Sequence, residues 1–409
     1  MLTYYCKLAV TLLLSVLAIG FMGGCQNGEK LDDGKATIRF WHFWSEPGQK
    51  AALRELVNEF EKASGCRVEL TELSWNDGKA KLQAAFNSGA PPDVVELGSD
   101  WVAQFSGAGV LSPLTTIDTS ALINYTLAPG RFRGALYAAP WVVDTRVLYV
   151  NQNLVSASGV DSIAKIEDLQ NAAEFVRSKG QFGWGSNGAD AHRLYKKILP
   201  FLWTYGGDVL DASGRCVLYS PANVRALTCY AELSRTGIVE TQRQLDATFL
   251  QGRLGIWNSG SWLIKKIRAN NSLSVKAIAF PGIDGRPGVS FAGGEYLAVS
   301  ASSKQVGLSE RLVAYLIAPS SAKSFCSKIP EAGFPAATSA YDDPSLQADP
   351  FKSVFAKQLR HARMTPVHPK WLDIEAVLES AVVRVLLGEA TADKALREAH
   401  DEVIEIIGS

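Results

Sequence analysis

Between residues 37 and 105 short β-rich apolar runs alternate with amphipathic helical patterns, and this alternation restricts the chain to a layered α/β architecture. Thr37-Ile38-Arg39-Phe40-Trp41 reads as a strand, and the helix after it starts near Pro47, repeats apolar residues at Leu53, Leu56, Val57 and Phe60, and stops at Gly65. A strand over 68–73 follows, then a helix over about 77–87 closed by Gly89 and Pro91-Pro92. Residues 93–97 read as a buried strand, and Ser99 as the cap of a helix through Trp101 and Phe105. In an open α/β sheet the ligand lies beyond the carboxyl ends of the strands. Those ends carry residues 41–46 and 98–101, so the two loops should face one crevice.

Farther along, 136–143 and 146–150 are two β-rich runs with Asp144 between them, the form of an extended chain crossing from one lobe to another. A carboxylate there would sit at the floor of an interdomain cleft, a preferred place for ligand pockets. Residues 275–280, followed by Pro281-Gly282, have the form of a return crossing, and 333–341 of a third. Three crossings make both lobes discontinuous: 36–141 with 281–337, and 142–280 with 338–409. With 409 residues, 47% hydrophobic and 20% charged, the chain has enough length and apolar content to bury two such cores.

The start of the chain reads differently. Residues 8–24 form an apolar run behind Lys7 that ends in small residues before Cys25, the pattern of a signal peptide. Gly23-Gly24-Cys25 resembles the lipobox of bacterial lipoproteins, with Met22 where leucine is usual. That resemblance implies a signal peptide over 1–24, an acylated Cys25, a tether over 25–35, and a folded remainder held at a membrane surface outside the cytoplasm.

Several classes are disfavoured. Lys plus Arg and Asp plus Glu both number 41, so no global field draws the protein toward nucleic acid. Six cysteines are too few for a disulfide scaffold and none has zinc spacing; Pro221 should start a helix that separates Cys216 from Cys229, which argues against a bridge between them. No GxSxG, SxxK, HExxH or Walker sequence occurs, and the five histidines lack ligand spacing, so neither a metal nor a cofactor is expected. Residues 183–188 do satisfy GxGxxG, with Asp208 about twenty residues on. The run before them is too short for a core dinucleotide-binding strand, and a strand and loop at a cleft edge explains the glycines.

Seven of the ten tryptophans (Trp41, Trp44, Trp101, Trp141, Trp203, Trp257 and Trp262) stand at expected strand ends or helix starts beside Gly, Ser, Asp or Asn. A sugar offers an apolar CH face and a ring of hydroxyls, so a site for it combines flat aromatic surfaces with carboxylates, amides and arginine. Core filling is the competing reading for each indole. Trp41, on its strand, favours the core; the polar neighbours of Trp101, Trp141 and Trp262 favour the cleft. Asp100 lies on the second loop. Glu46 is either a helix-terminal carboxylate or a ligand contact, Asp144 either a ligand contact or a hinge group, and Gly293-Gly294-Glu295 either a close approach of backbone to ligand or an ordinary turn.

The stretches WHFWSEPGQKAALRELVNEFEKASG, SGAPPDVVELGSDWVAQFSGAGVLSPL, GALYAAPWVVDTRVLYVNQNLV, FLQGRLGIWNSGSWLI and GGEYLAVSASSK, in this order, resemble the family 1 extracellular solute-binding proteins, the sugar receptors of ATP-driven importers. The resemblance runs from about residue 36 to the C-terminus. It implies a periplasmic-binding-protein-like clamp of two lobes joined by a three-pass hinge, a sugar or oligosaccharide as ligand, the permease and ATPase of an ABC importer as partners, and a monomer without catalytic activity. It also places Trp371, at the head of a C-terminal helix, where the family has an aromatic that stacks on sugar. The rival readings are a secreted carbohydrate-active enzyme and a receptor for a non-sugar solute, which a cleft lined by several like charges would favour.

Overall fold

The computed structural model describes residues 35–160 and 162–408, and the apolar run, Cys25 and most of the tether lie outside them. The first half opens with β1 (Thr37–His42), α1 (Pro47–Ser64), β2 (Arg67–Glu72), α2 (Gly78–Asn87), β3 (Val94–Gly98) and α3 (Val102–Gly107). Helix α1 forms where the pattern asked for it: Pro47 occupies the first turn, Ala52, Leu53, Leu56, Val57 and Phe60 are buried, and Gly65 ends it in the left-handed region at φ 70°. Strand β3 is buried along its whole length, as a central strand covered on both faces must be. Ser99 is not the cap expected of it. Trp101 is the N-cap of α3, and the Ser99 N–H donates instead to the Gly294 carbonyl at 2.9 Å.

The chain then forms β4 (Ala138–Thr145), β5 (Val147–Asn151), α4 (Ile166–Ser178), β6 (Phe182–Asn187), α5 (Tyr195–Thr204), α6 (Pro221–Ser234), β7 (Ile238–Glu240), α7 (Gln242–Leu250), β8 (Leu254–Ser259) and β9 (Val275–Ile278). It continues through β10 (Ser290–Ser300), α8 (Val306–Ile317), α9 (Pro319–Lys328), β11 (Phe334–Pro335), α10 (Lys352–Leu359), α11 (Trp371–Leu386) and α12 (Ala392–Gly408). One sheet has the order β11-β4-β10-β3-β1-β2, with two short strands, Leu111–Ser112 and Ala362–Arg363, also pairing with β10. A second has the order β7-β6-β8-β5-β9, and residues 131–132 pair with 135–136 in a small two-stranded sheet. Within the first, β1 runs parallel to β2 and β3, while β10 is antiparallel to both β3 and β4.

The chain leaves the first sheet between Thr145 and Val147, returns to it between Ile278 and Ser290, and after Pro335 runs toward the C-terminal helices α11 and α12, which pack on each other and on α6. Residues 142–145, grouped with the second lobe by the sequence pattern, complete β4 in the first sheet: Val142 faces Glu295 and Thr145 faces Ala292. The break between the strands therefore falls at Arg146, two residues beyond Asp144. The glycines of the GxGxxG run are packing residues. A Cβ on Gly183 in β6 would stand 2.0 Å from the Ala173 carbonyl of α4, so the helix can lie this close to the sheet only over glycine. Cys216 and Cys229 are free thiols.

Candidate functional site

At the β4–β5 crossover Asp144 stands opposite Gly293 of β10. Its Oδ2 accepts hydrogen bonds from Arg146 Nη1 and from the Ser261 N–H, both at 3.2 Å. Ser261 follows β8, so one carboxylate ties the two sheets together. Arg146 Nη1 also donates to the Thr145 carbonyl at 3.1 Å, and its guanidinium lies 4.6 Å from the centre of the Trp262 ring and 5.4 Å from that of Phe291. Asp246 of α7 fixes the indoles behind it, accepting from Trp257 Nε1 at 2.7 Å and from Trp262 Nε1 at 3.2 Å. Burial pushes the Asp144 carboxyl pKa up, and Arg146 opposes that shift. Asp144 Oδ1, Arg146 Nε and Ser261 Oγ are buried with no hydrogen-bond partner among the described residues. Three neighbouring unsatisfied polar atoms are costly unless something else occupies their lone pairs and hydrogens.

A second set of contacts joins the halves at the start of α5. Tyr195 Oη donates to Asp100 Oδ2 at 3.0 Å, from the helix on the second sheet to the loop after β3. The Tyr195 ring lies edge-on to Phe291 at 5.8 Å and to Trp371 at 6.1 Å. Glu375 and Glu379, one turn apart on α11, hold this helix start: Glu379 accepts from the N–H groups of His192 and Tyr195 at 2.8 and 3.0 Å, and Glu375 meets the His192 ring at Nδ1. Burial raises the Glu375 pKa, and the contact with Glu375 raises that of His192. Across the seam, Glu295 is pushed up to about 8, chiefly by burial and then by Asp144, and burial lowers Lys196. Cations and carboxylates are thus interleaved along the seam. Among the described residues no cluster of three or more His, Cys, Asp and Glu groups has the arrangement of a metal site.

Of the residues singled out in the sequence, the structure brings together Asp100, Trp101, Asp144, Trp262, Gly294 and Glu295 along this seam. Trp101 is 8% exposed and packs edge-on against Phe43 at 5.8 Å. Gly294 is required by β4, because a Cβ would stand 2.1 Å from the Val142 carbonyl. Trp257 is fully buried under Lys197, whose Nζ lies 4.5 Å from the ring centre, and it supports Trp262 through their shared partner Asp246. Trp371 is 1% exposed and backs Tyr195 without presenting a free face.

The others lie elsewhere. Trp141 does not reach the seam: it stacks on Phe325 of α9 at 4.6 Å, with Trp44 edge-on to both rings, in the core beneath the first sheet. A register shift opposite Glu295 and Tyr296 leaves Trp141 as an extra residue in β4, so that it and Val142 enter the same core. Glu46 is exposed at the N-cap of α1, where its N–H donates to Gln49 Oε1 at 3.1 Å, a capping arrangement. Trp203, near the end of α5, donates from Nε1 to Asp208 at 3.0 Å and lies under Arg363, not on a seam residue. Trp41 is half-buried and lines a hollow of about 570 Å³ with Thr71, Leu73 and Ala84.

Sequence reasoning missed Arg146, Tyr195, Lys196, Asp246, His192 and Glu375. The run Arg193-Leu194-Tyr195-Lys196-Lys197 at a helix start was a usable signal, because it sets an aromatic between cations right after a glycine-rich strand. Glu375 and Glu379 carried none, since an i, i+4 acidic pair normally marks a solvated face.

The sequence profile of the family described as bacterial extracellular solute-binding protein matches residues 44–323. The diacetylchitobiose-binding protein of Streptomyces coelicolor is 25% identical over 337 residues, 73% of this chain and 76% of that protein. A maltooligosaccharide ABC transporter solute-binding lipoprotein of Streptococcus pneumoniae is 22% identical over 376 residues, 87% of this chain and 86% of the other. Among solved structures, the GacH receptor of Streptomyces glaucescens, determined unliganded and with acarbose, is similar at a TM-score of 0.79 and 25% identity, over 92% of this chain and 99% of that one.

Proposed function

Since the chain belongs to the bacterial extracellular solute-binding protein family, we propose that it captures a sugar or oligosaccharide between its two sheet-bearing halves and presents it to the permease of an ABC importer. The observation that carries this reading is the crossover, where Asp144 Oδ1, Arg146 Nε and Ser261 Oγ lack partners among the described residues beside the half-buried Trp262 indole. A saccharide supplies hydroxyls to these atoms and a CH face to the indole. The halves are 37–145 with 290–335 on one side and 147–278 with the C-terminal helices on the other, and the ligand would shift the protein toward the form in which Tyr195 reaches Asp100. The chain acts as a monomer and returns its ligand chemically unchanged.

The test is a thermal-shift and calorimetric screen of the mature protein against maltodextrins and chitooligosaccharides, the ligand classes in the names of its relatives, beside a polyamine and a phosphosugar. A saccharide should raise the unfolding temperature, quench or shift tryptophan emission, and be recovered intact. Hydrolysed sugar in the recovered fraction would favour an enzyme, and stabilisation by the polyamine alone a non-sugar receptor.

The reading includes a lipid anchor at Cys25, supported by the lipobox-like sequence and by a relative named as a lipoprotein. A protein with balanced charge has little long-range attraction to a permease, so tethering supplies local concentration. Cys25→Ser should bind sugar as the wild type does in solution, yet partition out of the membrane fraction. Wild-type protein that carries no lipid by mass spectrometry would overturn the anchor alone.

A further inference from the structure

Trp75 lies in the loop between β2 and α2, and it is the one aromatic among the large apolar side chains that stand exposed in the described residues, at 45%. Its ring stacks on Phe43 with centres 4.1 Å apart and planes 21° apart, and lies 5.5 Å from Trp101. The indole is held in place from below and from both ends. Phe43 is buried, its N–H donates to Glu96 Oε2 at 3.0 Å, and a Cβ on Gly78 would strike the Phe43 ring at 2.4 Å, so that ring fits only over glycine. Ser74 Oγ donates to Asp77 Oδ1 at 2.7 Å and Gly78 N–H to the Ser74 carbonyl at 2.7 Å, which closes the loop around Trp75.

The stack leads into the seam. Trp101 continues it inward and adjoins Asp100, the acceptor of Tyr195. Lys79, in the first turn of α2, has its Nζ 6.0 Å from the Trp101 ring centre and feels the charges of Asp100 and, from α11 on the other side, of Asp373 and Glu375. A flat, pre-ordered indole left in water at the outer end of an aromatic file running into a ligand site suits one kind of occupant: a pyranose unit that stacks its CH face on the indole.

We propose that Trp75 is an outer stacking platform that selects for oligosaccharides, holding the ligand's terminal unit beyond the crossover and so setting its chain-length preference. This rests on the sugar-binding reading above and specifies the ligand further. The inner units bind by Asp144, Arg146 and Trp262, the outer one on Trp75. Shortening the ligand then removes the platform's contribution, and so does removing the indole, but not both in sum.

The experiment titrates wild type, Trp75→Ala and Trp75→Leu with maltose through maltoheptaose and with diacetylchitobiose through chitohexaose. Leucine keeps Phe43 covered without offering a flat face, so it tests the platform even where the alanine variant folds poorly. Wild-type affinity should rise from the disaccharide to the longer members, and both variants should lose about three- to tenfold for the long ligands alone. Equal losses at every length, or none, would overturn the platform while leaving sugar binding intact, as would variants that bind all lengths normally but fail in uptake, which would make Trp75 a permease contact. Wild type that binds neither series would remove the sugar reading for these classes and the platform with it.

Discussion

Asp144→Ala should destabilise the ligand-free protein by about 3–5 kcal/mol, the usual consequence of leaving one partner of a buried ion pair without the other. The Arg146 residue is 8% exposed, and its Nη1 has two acceptors, Asp144 Oδ2 and the Thr145 carbonyl. Removing the carboxylate leaves a guanidinium whose remaining support is that carbonyl and the faces of Trp262 and Phe291. It also strips the Ser261 N–H of its acceptor and so loosens a side-chain link between β4 and the residues that follow β8. Asp144→Asn should cost less, because an amide oxygen still accepts from Ser261. The double variant Asp144→Ala/Arg146→Met should recover much of the loss, since an apolar pair carries no stranded charge. Denaturant unfolding of the four proteins checks the ordering. A single variant within about 1 kcal/mol of wild type would mean that Asp144 serves the ligand and not the crossover, and its affinity would then fall without any change in stability.

Local structure was legible and pairing was not. Helix α1 announces itself in its own residues: Pro47 in the first turn, a buried stripe at helical spacing, Gly65 where a left-handed φ ends it. The position of Asp144 depends on a ladder with Gly293, far along the chain, and no pattern within 136–150 says which residue of the crossing is the last to pair. The same long-range ladder misled the reading of Trp141. Its polar neighbours suggested a cleft, but a bulge set by the register with Glu295 and Tyr296 turns it into the core with Trp44. Trp75 shows the opposite failure: it sits between a strand and a helix beside Ser74 and Asn76, the same signature that singled out seven other tryptophans. The carboxylates of α11 were out of reach altogether, because their partners are the N–H groups of a helix start about 180 residues earlier in the chain.

Gly294→Ala should cost roughly 1–3 kcal/mol, the range for forcing one extra methyl into close-packed structure. A Cβ there would lie 2.1 Å from the Val142 carbonyl oxygen and 3.1 Å from the Val143 Cα, and both are backbone atoms that cannot rotate away. Relief requires β10 to draw back from β4. That movement acts on the site directly: Gly293 pairs with Asp144, Glu295 adjoins the substituted residue, and the Gly294 carbonyl holds the Ser99 N–H at the head of the Asp100 loop. Sugar affinity should therefore fall together with stability, although no side chain that touches ligand has been altered. Gly307→Ala supplies the contrast, because nothing lies within 4 Å of a Cβ at that position in α8, and alanine is the better helix former. Its unfolding midpoint should match or exceed that of wild type with affinity unchanged. If Gly294→Ala behaved like Gly307→Ala, the close approach of the two strands would not be what places Asp144 and Glu295 on one seam.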